Sequence, residues 1–164
     1  MTAAASGYDM AAYLLDRANI HDTIARMCLA FDTRQPDMLA THVYTPMVHI
    51  DYSQLLDSTA MDITREQWAA SLEPVFDQWD SRQHVVQDML IELPQPVGAK
   101  GGGRLEKCSV VGIALAVAIV LQRNGGRYEF EMVRLKELEG RGENPWRISS
   151  QKVVMTYQEI GNDS

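Results

Sequence analysis

The run from Ser109 to Leu121 is the most apolar part of the sequence, and it restricts the folds open to the chain. It is too short for a membrane-spanning helix, which needs about 20 residues. Bulky side chains such as Val111 and Ile113 alternate with small ones such as Gly112 and Ala114. A period of two predicts a buried β-strand. One face of this strand carries only small residues, as expected where another surface or a ligand approaches closely.

Segments with strand periodicity surround this run and predict four long antiparallel strands. They cover residues 82–93, 104–123, 128–138 and 146–157. Gly112 is the candidate for a bulge that bends the second of these strands. The segment Asn124-Gly125-Gly126 predicts a hairpin turn, because these residues tolerate positive φ angles. The glycine-rich segment 98–103 is expected to be a flexible loop.

The first half of the chain is mainly helical. An apolar period of three and four residues predicts a helix from Tyr8 to about Asp32. Pro36 fits the first turn of a short second helix that ends near Val43, and residues 47–52 follow as a strand.

A third helix is predicted after a polar loop. Thr64 and Gln67 have the spacing of a capping box at its start. Pro74 is expected to kink or divide it, because proline removes a helical hydrogen bond. About three helices followed by four strands predict an α+β fold, in which the helices pack on one strongly curved antiparallel sheet. The mouth of such a cone is an apolar pocket.

Length and charge limit the domain organisation and the partners. The 164 residues fit one domain over residues 8–158, with a disordered segment 1–7 and a flexible segment 159–164. A net charge of −7, without a run of basic residues, argues against nucleic acid and membrane surfaces as partners. Two isolated cysteines and the absence of a signal sequence favour a reducing, cytoplasmic setting.

His84 is the first candidate for acid–base chemistry. It is the only histidine on a long strand of the predicted main sheet, and imidazole both gives and takes protons near neutral pH. Alternation places it on the opposite strand face from Met89 and Leu93. Both sets can face the pocket if a bulge at Gln87-Asp88 switches the register. In a regular strand with Met89 inward, His84 is instead a surface imidazole.

Asp32 is the candidate partner of His84. A carboxylate that is hydrogen-bonded to imidazole fixes its tautomer and raises its basicity, as in an Asp–His dyad. The alternative is that Asp32 simply begins the turn after the first helix, as aspartates often do.

Tyr52 is the candidate for stabilising charge on a substrate oxygen. It shares a strand face with Val48 and Ile50. Because these two residues are apolar, this face is expected to point inward. The other face carries His49 and Asp51, which form an alternative acid–base pair if they point inward.

Two further sets of polar residues have both a functional and a simpler interpretation. Glu129 and Glu131 share a strand face, and neighbouring carboxylates raise each other's pKa when buried, which suits a general acid or base. Glu131 is the preferred candidate, and a solvated acidic face is the alternative. His21 and His42 lie in helical segments without a second ligand nearby, so no metal site is expected.

Three short motifs resemble a known family. They are Ala30-Phe31-Asp32, His49-Ile50-Asp51-Tyr52-Ser53 and Arg82-Gln83-His84. In this order and spacing they are similar to the SnoaL-like branch of the NTF2-like superfamily, above all to scytalone dehydratase and its relatives. The resemblance implies a cone-shaped α+β barrel. It also implies acid–base catalysis, without a cofactor, on a small alicyclic or aromatic substrate.

The same resemblance implies roles for individual residues. Asp32 matches the aspartate near the end of the first helix, His84 the catalytic histidine, and Tyr52 a tyrosine that polarises the substrate or its water. Glu131 falls where the dehydratase has a pocket amide. Phe31 stands where the dehydratase has a second tyrosine.

A second departure is Ala114, which falls about where the dehydratase has a second histidine. The prediction is therefore the broader class of cofactor-independent lyase or isomerase, of dehydratase, cyclase or rearrangement type. Its expected substrate is a small cyclic natural-product intermediate. The expected substrate-binding residues are Phe31, Val48, Ile50, Met89 and Glu129.

Two alternatives stand beside this prediction. One is a non-catalytic ligand-binding or dimerisation module, since this fold does not dictate activity. The other is epoxide hydrolysis by an Asp-Arg-Asp set, which is weaker because the sequence presents no clear trio. The apolar outer sheet face of such folds also predicts a homo-oligomer, either a dimer or a trimer.

Overall fold

The computed structural model of the protein describes residues 8–56, 58–77, 82–96, 104–118 and 122–160. The predicted disordered N-terminus 1–7, the predicted loop at 98–103 and residues 161–164 lie outside the described residues. The helices are α1 (Met10–Asp32), α2 (Pro36–Met38), α3 (Arg65–Ser71), α4 (Glu73–Asp77) and α5 (Lys136–Glu139), and a π-helical turn covers Leu39–Val43. The strands are β1 (Tyr44–Asp51), β2 (Met61–Thr64), β3 (Arg82–Ile91), β4 (Lys107–Ala118), β5 (Gln122–Arg134) and β6 (Trp146–Ile160).

The six strands form one sheet in the order β2-β1-β6-β5-β4-β3. Neighbours are antiparallel except for β1 and β6, which run parallel. Helix α1 packs against β3 and β6 of this curved, unclosed sheet. The predicted α+β fold, with helices on a curved sheet, is confirmed. None of the helices within the described residues has the length and apolarity that a membrane crossing needs.

Helix α1 follows the predicted period and ends at the predicted residue. The Asp9 carboxylate caps its start by accepting from the Ala12 backbone N–H at 2.7 Å. Ile20, Ile24 and Met27 recur at three- and four-residue steps and are fully buried. Their burial holds the last turn of α1, with Asp32 at its end, beside β3.

The predicted third helix is two helices. Thr64 and Gln67 form the predicted capping box, in which the Gln67 backbone N–H donates to Thr64 Oγ1 at 3.2 Å. Helix α3 ends at Ser71, and α4 begins at Glu73 with Pro74 in its first turn. The division at Pro74 is therefore confirmed. Strand β2, which was not predicted, pairs with β1 just before the capping box.

The segment Asn124-Gly125-Gly126 lies inside β5, where it pairs with β4 on one side and β6 on the other. The predicted hairpin turn is therefore wrong. A Cβ on Gly125 would lie 2.1 Å from Cε1 of Tyr157, and one on Gly126 would lie 2.1 Å from the carbonyl oxygen of Val154. Glycine is needed here for close approach of β6, not for a positive φ angle.

A buried polar cluster joins the first half of α1 to the sheet. Asp16 is fully buried and accepts hydrogen bonds from the Tyr8 hydroxyl and from Trp146 Nε1, each at 3.1 Å. Arg134 and Arg104 both form ion pairs with its carboxylate. Arg134 also lies over the Trp146 ring, 4.6 Å from its centroid. Within the described residues, the buried Asp16 carboxylate thus has two arginines and two hydrogen-bond donors as partners. Such partners offset the cost of burying a charge.

Candidate active site

Asp32 and His84 form a hydrogen-bonded pair. His84 Nδ1 lies 2.7 Å from Asp32 Oδ1, and the side chains are 19% and 20% exposed. The backbone N–H of His84 also donates to both carboxylate oxygens, at 2.9 and 3.0 Å. These bonds compensate the unfavourable position of a carboxylate at a helix C-terminus. Asp32 is therefore bound to the strand residue and does not merely begin a turn.

The pairing defines the form of the imidazole. A carboxylate accepts hydrogen bonds, so Nδ1 of neutral His84 carries the proton and Nε2 is left as the basic nitrogen. The Phe31 ring packs against the imidazole, with centroids 5.3 Å apart and planes tilted by 46°. Asp32 and Phe31 together fix the position of the ring from two sides.

His84 lies in the wall of a cavity of about 280 Å³. Most of the wall is apolar, from Phe31, Leu55, Leu56, Leu72, Val75, Phe76, Ala116 and Val117. The polar or amphipathic groups are Tyr52, Trp68, Arg82, His84, Asn124 and Tyr128. An apolar cavity with a few polar groups is the usual form of a small-molecule site.

A β-bulge in β3 aims His84 into this cavity. The register with β4 shifts between Gln87 and Leu90, and Asp88 has a φ angle of +51°. Met89 packs against the core, whereas Leu90 is 72% exposed. The predicted register switch at Gln87-Asp88 is confirmed, and it allows both His84 and Met89 to point inward.

Gly112 lies opposite this bulge and is not itself bulged. The register between β4 and β5 runs through Gly112 without a shift, so the predicted bulge at this residue is wrong. A Cβ at this position would lie 2.6 Å from Cγ1 of Val86 and 3.2 Å from Cγ of Met89. The small-residue face of β4 accommodates the bulged strand.

Tyr52 lines the cavity as predicted, with a nearly buried side chain. Its hydroxyl oxygen accepts from Gln151 Nε2 at 2.6 Å, and Gln151 Oε1 accepts from the Tyr44 hydroxyl at 2.6 Å. Burial, followed by the neighbouring Tyr128, raises the Tyr52 pKa well above its usual value. The phenol stays protonated, accepts from Gln151 and donates its own hydrogen to the Tyr128 hydroxyl.

The alternative acid–base pair on β1 does not form. His49 Nδ1 lies 2.9 Å from Asp62 Oδ1 on the exposed surface. Asp51 accepts from the hydroxyl and the backbone N–H of Ser53, and these bonds lower the Asp51 pKa. His49 and Asp51 therefore face away from the cavity.

The structure does not bring Glu131 to the cavity, so its predicted pocket position is wrong. Alternation along β5 turns Phe130 and Met132 into the core and leaves Glu131 exposed. Glu131 accepts from Ser109 Oγ at 2.9 Å, across to the neighbouring strand. Glu129 lies on the same outer face.

Some of the expected substrate-binding residues lie in the cavity wall and others lie outside it. Phe31 lines the cavity. Val48 and Ile50 are buried in the hydrophobic core and Glu129 pairs with Arg127 at 2.8 Å. Met89 lines a separate hollow beside α1, together with Arg17 and His21. Val48, Ile50, Glu129 and Met89 do not line the cavity that holds His84, so their predicted positions are wrong.

Sequence reasoning missed four polar or amphipathic residues of the cavity wall, which are Trp68, Arg82, Asn124 and Tyr128. Arg82 stands two residues before His84 and so shares its strand face, a signal that was available. Tyr128 follows the inward alternation of β5, whereas nothing local marks Trp68 as a cavity residue. Among the described residues, no three histidine, cysteine or acidic side chains cluster to hold a metal ion.

The family model of the SnoaL-like domain matches residues 12–152 of the chain. A search of curated proteins finds no match. The solved structures that resemble this fold include the Kfla4162 protein from Kribbella flavida. It is 19% identical, with a TM-score of 0.73 over 88% of this chain and 93% of that chain.

Two further neighbours come from Novosphingobium. One, from N. aromaticivorans DSM 12444, is provisionally named a scytalone dehydratase and is 13% identical, with a TM-score of 0.68 over 93% of this chain and 91% of that chain. The other is hexachlorocyclohexane dehydrochlorinase LinA-type3 from N. barchaimii LL02, which is 18% identical, with a TM-score of 0.68 over 93% and 94%. These likenesses show a shared fold of the NTF2-like type. On the family match, the chain belongs to the SnoaL-like domain family.

Proposed function

We propose that the protein is a cofactor-independent acid–base lyase or isomerase that acts on a small cyclic natural-product intermediate. The observation that carries this proposal is the Asp32–His84 pair in the wall of an apolar cavity, 2.7 Å between Oδ1 and Nδ1. A partly buried carboxylate–imidazole pair beside a cavity of about 280 Å³ supplies a base without a metal or an organic cofactor.

His84 begins the reaction by taking a proton from carbon or hydroxyl with Nε2. The imidazolium that forms is stabilised by the Asp32 carboxylate, which already accepts from Nδ1. Asp32 does not itself line the cavity and reaches it only through His84. It acts as a positioning residue, while His84 is the catalytic base.

Tyr52 stabilises the negative charge that develops on a substrate oxygen. Its oxygen accepts from Gln151 at 2.6 Å, and its hydrogen, which is donated to Tyr128 in the structure, passes to that charge when the substrate oxygen replaces Tyr128 as acceptor. Tyr128 contributes a second phenol to the same wall. Donors held in place before the reaction cost no reorganisation when the charge appears.

The proton returns from His84. Glu131, the predicted proton donor, lies on the outer face, so the imidazolium is the acid within reach of the cavity. It delivers the proton to a leaving hydroxyl in a dehydration or to another carbon in an isomerisation. Because His84 both removes and returns the proton, both proton transfers take place on the same face of the substrate.

The names of two structural neighbours agree with an elimination. Dehydratase and dehydrochlorinase both denote loss of a small molecule from a substrate. Elimination needs one base and one stabilised leaving group, which the pair formed by His84 and Tyr52 can provide.

We further infer a homo-oligomer, a dimer or trimer, in a cytoplasmic setting. Leu90 and Ile113 are 72% and 52% exposed on neighbouring strands β3 and β4. An exposed apolar sheet face of this kind favours self-association, which light scattering of the purified protein would measure.

The proposal is tested by metabolite profiling of a strain from which the gene is deleted. We expect one cyclic intermediate to accumulate and to be consumed by the purified protein without added cofactor. A strain restored with His84→Ala should still accumulate it. A deletion strain without any accumulated compound would instead favour a binding module, which the same apolar cavity would also serve.

A further inference from the structure

Arg82 brings a positive charge to the wall of the cavity. It lies two residues before His84 on β3, so both side chains are on the inward face of the strand. Its guanidinium carbon is 4.3 Å from the centroid of the Phe76 ring. Nη2 donates to the Phe76 carbonyl oxygen at 3.3 Å. The ring and this carbonyl hold the guanidinium in place without neutralising it.

Among the residues that the structure describes, the buried Nε of Arg82 has no hydrogen-bond partner. Within the described ranges, Arg82 forms no ion pair with a carboxylate, although the charges of Asp32 and Asp77 are near enough to act on it. Burial, and then the charge of Arg34, lower the Arg82 pKa, but a guanidinium remains charged at any physiological pH. A cation in a mostly apolar wall is costly without a paired carboxylate, and an anionic ligand removes that cost.

We propose that the guanidinium of Arg82, a residue of the cavity wall, binds a carboxylate group of the substrate. The inference rests on the proposed function in one respect, since it assigns the substrate class of the same cavity. The substrate is then a small cyclic carboxylic acid, with its ring against the apolar wall and its carboxylate on Arg82.

The chemistry of the site favours a carboxylate over a phosphate. A planar carboxylate matches the two parallel N–H groups of a guanidinium edge and carries one charge, which one arginine balances. Arg34, the other nearby cation, is already within 3.6 Å of Asp77. The cavity of about 280 Å³ has a mostly apolar wall and suits a compact ring.

The spacing on the strand also restricts where the proton is lost. Residues i and i+2 of a strand are about 6.5–7 Å apart. A carboxylate on Arg82 therefore places the ring, or the carbon beside it, next to Nε2 of His84. The substrate carbon that loses the proton is thus expected within a few bonds of the carboxylate.

The test is a titration of the isotope-labelled protein, followed by NMR, with benzoate and with its neutral counterpart benzamide. We expect the wild-type protein to bind benzoate at least about tenfold more tightly than benzamide, because hydrogen bonds to charged groups are the stronger ones. Arg82→Met should weaken benzoate binding by about ten- to hundredfold and leave benzamide binding nearly unchanged. Arg82→Lys keeps the charge without the planar guanidinium edge and should lie between the two. It serves as the second variant if Arg82→Met does not fold.

Arg127→Met is the matched control, because Arg127 is exposed and pairs with Glu129 outside the cavity. It should bind both probes as the wild type does. His84→Ala should keep the preference for benzoate, which separates the carboxylate site from the proposed catalysis. Equal affinity of the wild type for both probes, or an unchanged preference in Arg82→Met, would overturn the inference whatever His84→Ala does to turnover.

Discussion

Asp16 and Asp32 lie on the same helix and carry the same side chain, yet they have opposite surroundings. Asp16 is fully buried, ion-paired with two arginines and hydrogen-bonded to Tyr8 and Trp146. Asp32 is about one-fifth exposed and serves one residue, His84, whose other ring nitrogen remains available.

The difference separates a structural carboxylate from a functional one. Removal of the Asp16 charge leaves Arg134 with only the partly exposed Glu139 as counter-charge, at 3.2 Å, although the Arg134 side chain is buried. Asp32 instead acts on a group that borders a cavity, so removal of its charge changes the chemistry of His84 more than the stability of the fold. A chemical role is therefore indicated by a single partner that can titrate, such as a histidine beside a cavity, and not by burial of the aspartate alone.

The largest expected effect is on the stability of Asp16→Asn. Arg134 is 3% exposed in its side chain and would lose its buried counter-charge. We expect the free energy of unfolding to fall by roughly 3–5 kcal/mol, as when one member of a buried ion pair is removed. Urea denaturation measures it. Asp22→Asn, exposed on the same helix, is the control and should change stability by less than about 0.5 kcal/mol.

Asp32→Asn should instead change turnover strongly and stability only weakly. The amide oxygen can still accept from the His84 backbone N–H, so stability should change by about 1 kcal/mol or less. Turnover should fall by about 10³-fold or more, because an amide no longer favours the reactive tautomer or stabilises the imidazolium. Kinetics on the accumulated intermediate measure the loss. Asp62→Asn, at the exposed partner of His49, should retain full turnover, and an equal loss there would refute the distinction.

A smaller effect is expected for Tyr52→Phe. Loss of one donor to a developing oxyanion should lower kcat by about 10²-fold. Gln151 Nε2 also loses its acceptor, so a modest loss of stability of about 1–2 kcal/mol should accompany it. Glu131→Gln is the contrast, since Glu131 is exposed and bonded to Ser109. A loss of turnover in Glu131→Gln comparable to that in Tyr52→Phe would contradict the placement of these residues.

Much of the fold was predictable because local patterns agreed with tertiary packing. The period of α1, the capping box at Thr64 and the division at Pro74 are set by neighbouring residues in the chain. The bulge at Gln87-Asp88 was predictable for another reason, since two apolar sets on opposite faces of one strand cannot both point inward without it.

The rest depended on contacts between distant segments. Gly125 has the local signature of a turn, but its role is to admit the ring of Tyr157 from the neighbouring strand. Glu131 was misplaced because a resemblance over short motifs does not fix the register of a strand far from them. Asp16 gave no local sign of burial, because its partners Arg134 and Trp146 are more than one hundred residues away.

The sharpest test compares two histidine–aspartate pairs of nearly equal geometry. His84 lies 2.7 Å from Asp32 beside the cavity, and His49 lies 2.9 Å from Asp62 on the surface. The decisive measurement is the turnover, without added cofactor, of the intermediate that accumulates in the deletion strain, by folded His84→Ala and His49→Ala proteins. We expect His84→Ala to lose at least about 10³-fold in kcat and His49→Ala to match the wild type. Full turnover by folded His84→Ala would contradict the assignment of His84 as the catalytic base.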